Sequence, residues 1–276
     1  MVAKIERVGL IGLGKMGLPM GRHMVAKGFQ VNAFDLREDT CAAATKLGIA
    51  VKKTPAEVAA ASQFTIIVVG FDADVERAMF GADGVMAGAK AGAIIAVSST
   101  VAPETMKQMD KQIAGSGVTL IDAPLCRPEP VAEAGELLVM GGGDVAAFEA
   151  VRPVFAAFAT DIFHLGALGS GQVGKMVNNM ILWACICADF EGLDLGGKMG
   201  VDRQVLRQAL VASSANNWAL QTEVYNRPLP WAEKDMSIVI KEADAARISL
   251  PVAGVVKEVI KGIKIARGEG MPEAGG

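Results

Sequence analysis

Histidine is almost missing from this chain of 276 residues, in which His23 and His164 are the only two. A catalytic zinc site draws on two or three imidazoles, so neither zinc nor any other bound metal is expected. Cysteine is sparse too. Cys41, Cys126, Cys185 and Cys187 form no Cys-x-x-Cys pair, and two of them share one apolar segment. That pattern fits reduced thiols in the cytoplasm better than a disulfide framework. A basic block is also lacking: 27 Lys and Arg are scattered among 30 Asp and Glu, for a net charge of −3 and a pI of about 5.6. Neither nucleic acid nor an anionic membrane has an electrostatic reason to bind such a chain. Residues 1–7 hold no cleavable apolar core, and the uncharged run from Met176 to Ala188 is too short to cross a bilayer. The expectation is a soluble cytoplasmic protein. Its 51% hydrophobic content suffices for one large core or two smaller ones.

What is present begins with a strand-like run, Arg7-Val8-Gly9-Leu10-Ile11, followed at once by Gly12-Leu13-Gly14-Lys15-Met16-Gly17. A helical pattern runs on through Met20, Met24 and Val25 to Gly28, and a second strand, Gln30 to Phe34, ends in Asp35. Strand, glycine turn, helix, strand and acid, within about 30 residues, is the layout of a mononucleotide-binding unit. Each residue type has a job there. Gly12 permits the tight turn, Gly14 lets a pyrophosphate reach the backbone, and Gly17 lets the helix pack on the strand. The phosphates then meet free amides at the positive end of a helix dipole. Asp35 would accept hydrogen bonds from both ribose hydroxyls and repel a 2′-phosphate, which favours NAD over NADP. Arg37, two residues later, could instead serve a 2′-phosphate.

The pattern repeats. A short strand starts at Val51, a helix covers Ala56 to Ala61, and Phe64 to Val69 is an apolar strand leading to Gly70. Further strands are expected at Gly92 to Val97, ending in Ser98-Ser99-Thr100, at Val118 to Ile121, ending in Asp122-Ala123-Pro124, and at Glu136 to Met140, ending in three glycines. With helices such as Pro103 to Ala114 between them, these predict an α/β domain: a doubly wound, Rossmann-type parallel sheet covered on both faces. The polar strand ends should collect at its carboxyl edge, where such sheets bind ligands. From Gly169 onward the strand signal stops, and helices are expected at Gly171 to Met199, Asp202 to Ser213, Lys234 to Ala246 and Pro251 to Arg267. The domain boundaries read as 1–164 for the dinucleotide-binding domain and 165–276 for an all-helical domain, joined by the long helix.

That helix opens with Gly171-Gln172-Val173-Gly174-Lys175-Met176-Val177-Asn178-Asn179. Positions three and four apart are helix neighbours, so Gly171, Gly174, Lys175, Asn178 and Asn179 share a face. An ammonium and two carboxamides beside a strongly apolar run are costly to bury for packing alone. The plainer alternative is a helix end whose lysine reaches water and whose asparagines cap nearby backbone.

At this point the chain resembles the β-hydroxyacid dehydrogenase family, which includes 3-hydroxyisobutyrate dehydrogenases. The resemblance rests on five blocks in order: Gly12 to Met20, Ser99-Thr100-Val101-Ala102-Pro103, Asp122-Ala123-Pro124, Gly171 to Asn179, and Lys234-Asp235-Met236. It implies NAD as cofactor and hydride transfer between nicotinamide and a small hydroxy acid or the matching semialdehyde. Lys175 would be the acid/base, with Asn178 and Asn179 at the substrate. Gly12 to Gly17, Asp35, Val69, Gly70, Thr100 and Lys234 would surround the cofactor. An ordinary lysine is a poor base near neutrality and needs burial or a neighbouring positive charge to serve as one.

Two departures stand out. After Pro124 the family's loop usually continues with a small residue, a serine and two glycines, which bind a substrate carboxylate with Ser99 nearby. Here it reads Leu125-Cys126-Arg127-Pro128. Cys126 is a weak donor and Pro128 has no amide. Arg127 brings a fork of donors suited to a carboxylate, sulfonate or phosphate, which looks like the branch acting on sulfolactaldehyde; the alternative is a pairing with Glu129 or exposure to water. The second departure is a short connection from Trp218 to Glu233 and an end soon after Glu269, so substrate size is open, with Trp218 and Trp231 either lining the pocket or packing. Competing functions are a catalytically silent NAD-binding scaffold and an imine reductase using NADPH. Lys175 argues against both, and Asp35 against the second. The long apolar helix suggests a homodimer or homotetramer.

Overall fold

The computed structural model describes residues 4–270, apart from the side chain of Tyr225. By compactness the chain divides into Met1–Lys175 and Met176–Glu273.

The first unit is built on β1 (Arg7–Ile11), α1 (Gly17–Ala26), β2 (Gln30–Phe34), α2 (Glu38–Lys46), β3 (Ala50–Val51), α3 (Pro55–Ala60), β4 (Phe64–Ile67), α4 (Asp72–Phe80), α5 (Val85–Gly88), β5 (Ile94–Val97), α6 (Pro103–Ile113) and β6 (Thr119–Asp122). The six strands pair in the order β3-β2-β1-β4-β5-β6, all parallel. Strand order reverses between β1 and β4, the position at which such sheets open a crevice. Every residue of β4 and β5 is buried. Alternation sends Phe64, Ile66, Ile94 and Ala96 into one apolar cluster and Ile67, Ile95 and Val97 into another. Those are the two covered faces of the sheet, and they explain why these strands read as unbroken apolar runs.

After β6 the chain departs from the sequence expectation. The run ending in the three glycines forms β8 (Leu137–Gly141), which lies outside the parallel sheet. It sits in a second sheet of order β7-β8-β9, antiparallel to β7 (Leu125–Cys126) and parallel to β9 (Ala159–His164), with α7 (Glu129–Ala134) and α8 (Val145–Phe155) between them. Pro124 continues β6 directly into β7, and Asp122 bridges Gly142 antiparallel, so β8 is met by a returning strand rather than a crossover. Only alternate residues of β8 are fully buried. Phe148, Phe155, Phe158 and Phe64 pack edge-on or tilted beside it with centroids 5.5–6.1 Å apart.

The helix α9 (Ser170–Lys198) begins in the first unit and runs on through the second. The second unit contains α10 (Arg203–Val211), α11 (Trp218–Thr222), a 3-10 turn at Val224–Asn226, α12 (Ala232–Ala246) and α13 (Pro251–Ala266). Its core gathers Trp183, Ile186, Leu193, Met236, Val239 and Ile260. Asp202 and Asn217 cap α10 and α11 through their side-chain oxygens. No helix of the described residues is long and apolar enough to cross a membrane, and the four cysteines are free thiols.

Candidate active site

The turn after β1 is shaped by what its glycines allow. Gly12 has φ +98°, a conformation that disfavours any side chain, and its amide donates to the Phe34 carbonyl at 2.9 Å. A Cβ there would run into the Val68 carbonyl, and one at Gly17 would run into the carbonyl of Gly12. Gly14 is different: the nearest atom to a Cβ there is Arg37 Nη2, at 3.8 Å. Space is open on that side, and the amides of Gly14, Lys15 and Met16 have no protein acceptor among the described residues. Free amides at the start of α1, beside an open glycine face, suit a pyrophosphate. Lys15 reaches outward to Glu129 at 3.2 Å.

Asp35 closes the turn. Its Oδ2 accepts from the Leu13 amide at 2.6 Å, and its Oδ1 accepts from the Arg37 amide at 2.9 Å with Arg37 Nε 3.5 Å away. The carboxylate is therefore aimed at the glycine turn and held there, while its outer lone pairs remain for ribose hydroxyls. Arg37, half-exposed, lies next to it. The donor set present fits a dinucleotide.

The other strand ends line up as expected at the carboxyl edge, and they are stitched together. The Ser99 hydroxyl, 3% exposed, accepts from the Val69 amide at 2.8 Å. Ser99 thus braces the loop after β4 through an acceptor lone pair of its hydroxyl. Val69, Gly70 and Thr100 are partly exposed beside it. Asp122, fully buried at the end of β6, accepts from the amides of Gly169 and Gln172 at 2.7 Å each. Burial raises its carboxyl above the usual carboxylate range, against the lowering effect of those amides. Gln172 donates from Nε2 to the Ser99 carbonyl at 2.8 Å and accepts at Oε1 from the Val101 amide at 3.2 Å. The close approach that Gly171 permits is to the Met140 carbonyl, the atom nearest to a Cβ there, and then to Asp122 Oδ2, which would lie 2.7 Å from it.

Lys175, one turn on from Gln172, is half-buried and makes no hydrogen bond or ion pair among the described residues. Burial pushes the Cys126 thiol up, and the charges of Lys175 and then Arg127 draw it part of the way back. Cys126 itself is buried in β7.

Arg127 differs from expectation in its partner. Its backbone sits at φ +80°, a left-handed conformation that favours glycine. Its guanidinium binds Asp161 Oδ2 at 2.6 Å, Thr160 Oγ1 at 2.9 Å and the Glu136 carbonyl. The fork read as an anion site engages Asp161, a residue of β9, rather than Glu129, and the side chain stays 32% exposed. The Asp161 carboxyl is held below its ordinary range by that guanidinium and by the Thr160 hydroxyl.

In the second unit Asn179, 5% exposed, donates to Asp235 Oδ2 at 2.8 Å and accepts from Asn178 at 2.9 Å. Trp183 Nε1 donates to the same Asp235 oxygen at 3.3 Å. The asparagines engage side chains and do not cap backbone. Lys234, next to Asp235 in the first turn of α12, is half-buried and has partners of its own. Trp218 and Trp231 stay 38% and 42% exposed, and the buried tryptophan is Trp183. Sequence reasoning left Asp122, Gln172, Asp161 and Asp235 without roles. The available signal was an acid at a strand end before Ala-Pro, and an unassigned glutamine within the lysine block.

The family model described as the NAD binding domain of 6-phosphogluconate dehydrogenase matches residues 7–166, and the one described as NAD-binding of NADP-dependent 3-hydroxyisobutyrate dehydrogenase matches residues 169–273. Among curated relatives, 2-(hydroxymethyl)glutarate dehydrogenase of Eubacterium barkeri is 30% identical over 94% of this chain and 89% of its own. An NAD-dependent L-serine dehydrogenase of Pseudomonas aeruginosa is 32% identical over 82% and 74%. A solved 3-hydroxyisobutyrate dehydrogenase of Mycobacterium tuberculosis with L-serine superposes with a TM-score of 0.85 at 26% identity, covering 95% of this chain and 94% of that one. An imine reductase from Pseudomonas, at 16% identity and a TM-score of 0.65, shares the fold alone.

Proposed function

Because this chain belongs to the β-hydroxyacid dehydrogenase family, an NAD-dependent oxidoreductase group acting on CH–OH, we propose that it oxidises a small β-hydroxy acid, or reduces the matching semialdehyde, with Lys175 as acid/base. The observation that carries this reading is the state of Lys175. Half-buried one turn on from Gln172 and with no counter-ion among the described residues, it keeps its donors for an arriving oxygen. A substrate hydroxyl or carbonyl oxygen is such a group.

Held by the residues named below, a nicotinamide would supply the hydride donor or acceptor. In the oxidising direction Lys175 takes the hydroxyl proton as the C–H bond breaks, and in reverse its ammonium returns that proton to the carbonyl oxygen. Asp35 and the Gly12–Gly17 turn, with Thr100, Val69, Gly70 and Lys234, bind the cofactor, NAD ahead of NADP. Asn178 and Asn179 share the Lys175 face of α9 and offer amide groups to the substrate, Asn179 being braced by Asp235. With Arg127 tied to Asp161, we assign the acid group of the substrate to the residues about Cys126 at the end of β7. Four free thiols fit a reducing cytoplasm.

We further propose a homodimer or homotetramer. Val173, Val177, Ile181 and Leu195 project apolar side chains from α9, with Ile181 54% and Leu195 61% exposed. A helix with such a face fits burial against a second copy.

Lys175→Ala tests the catalytic reading. Turnover with NAD should fall by about 10²–10⁴-fold, the usual share of general acid/base catalysis. NADH binding, followed by fluorescence titration, should change little. Wild-type turnover in this variant removes Lys175 from the mechanism.

A further inference from the structure

We infer that Gln172 is a positioning residue for the proton transfer: its buried side-chain amide joins the backbone on both sides of Thr100 and so sets where Lys175 stands against that loop. The inference rests on the acid/base reading of Lys175 given above.

Gln172 is 1% exposed, and its two ends do opposite things. Nε2 donates to the Ser99 carbonyl at 2.8 Å and Oε1 accepts from the Val101 amide at 3.2 Å, so the residue between those two, Thr100, is bracketed. A carboxamide is the neutral side chain that supplies one donor and one acceptor at that reach. Leaving either end unmade in a buried site is costly, which keeps both bonds in place. The backbone of Gln172 is fixed as well, by the 2.7 Å bond from its amide to Asp122 Oδ2, with Gly169 on the other carboxylate oxygen. Ser99 in turn holds the Val69 amide through its hydroxyl. The ends of β4, β5 and β6 and the start of α9 therefore form one hydrogen-bonded piece, and Lys175 lies three residues further along the same helix. A ligand held by Thr100 and a proton held by Lys175 then share a single frame. Displacements of about 1 Å at a reacting group lower rates by about 100-fold, so the register of this joint matters to the chemistry as well as to folding.

The test uses the full chain with NAD and whichever of 3-hydroxyisobutyrate or L-serine the wild type oxidises faster. Gln172→Met keeps the volume and removes both bonds. Its kcat should fall by about 10- to 100-fold, while the NADH dissociation constant stays within about twofold and the isotope effect on kcat, with deuterium at the carbinol carbon, increases. Gln172→Glu keeps the acceptor for Val101 but can donate to the Ser99 carbonyl only when protonated. Its kcat relative to wild type should therefore drop as pH rises, a trend that a residue serving packing alone would not produce. Wild-type kcat and isotope effect in Gln172→Met would overturn the inference. So would a pH-independent ratio for Gln172→Glu, which decides the matter if the methionine variant does not fold. Parallel loss of NADH binding and kcat in both variants would also overturn it, reassigning Gln172 to the cofactor loop. A wild type inert toward both hydroxy acids fails the substrate reading instead, and does so before any variant is made.

Discussion

Replacing Asp122 should loosen the first unit by an amount that can be worked out from its contacts. The carboxylate is fully buried and accepts from the Gly169 and Gln172 amides at 2.7 Å each. Asp122→Ala leaves both amides buried without acceptors, at about 1–3 kcal/mol apiece. It also removes a negative charge from the start of α9, for about 0.3–1 kcal/mol more. Against that stands the unfavourable burial of the carboxylate, visible in its raised pKa. A net loss of about 3 kcal/mol follows, or roughly 6–12 °C in Tm for a unit of this size. The pH dependence has a definite sign. An acid whose folded pKa is raised holds its proton in the native state over a window beginning near the ordinary aspartate value of 3.8, so its contribution to stability is present below that window and is lost as pH rises through the folded pKa. The difference in stability between wild type and Asp122→Asn, measured by urea unfolding, should shrink as pH rises across that window. Calorimetry finding Tm within about 2 °C of wild type for Asp122→Ala would refute the accounting.

Gly14→Ala should leave thermal stability unchanged, because a Cβ there meets nothing closer than Arg37 Nη2 at 3.8 Å. The same methyl occupies the face a pyrophosphate needs, so NADH affinity by fluorescence titration should weaken by about 10- to 100-fold, the equivalent of about 1.5–3 kcal/mol in charge-assisted bonds; unchanged affinity would remove this turn from the cofactor site. Light scattering at micromolar concentration should find a dimer or tetramer, and Ile181→Lys should reduce it toward monomer; a monomeric wild type would sink the reading of the α9 face.

The dinucleotide half was legible because its evidence is local. Gly12, Gly14, Gly17 and Asp35 fall within one strand-turn-helix-strand unit, where backbone sterics dictate Gly12 and Gly17 and the open face of the turn accounts for Gly14. β4 and β5 announced themselves for a related reason, since burial on both faces leaves no room for a polar residue. The same rule misled at Leu137 to Met140. That run is as apolar as β5, yet only alternate residues are fully buried, and the strand belongs to the small sheet. An apolar run signals burial without saying which neighbours provide it; β7 and β9, short or carrying Thr160 and Asp161, gave no signal of their own.

The side-chain partners were hidden for a different reason. Asp122 meets Gln172 across 50 residues, Asn179 meets Asp235 across 56, and Arg127 meets Asp161 across 34. No spacing rule reaches that far, because tertiary contacts choose these pairs. Arg127 makes the point most sharply. Residue type alone suited it to an anionic ligand, and that anion is supplied by the protein's own β9. Its left-handed backbone shows what permits this: a conformation that favours glycine is kept, at roughly 1 kcal/mol or more for a residue with a side chain, and the bidentate hold of Asp161 and Glu136 offsets it. A loop that depends on such a pairing cannot also release Arg127 to a substrate without losing the contact that stabilises its turn. The substrate roles proposed for Cys126, Asn178 and Asn179 are therefore the ones to test by substitution, Asn179 being held on α9 by Asp235.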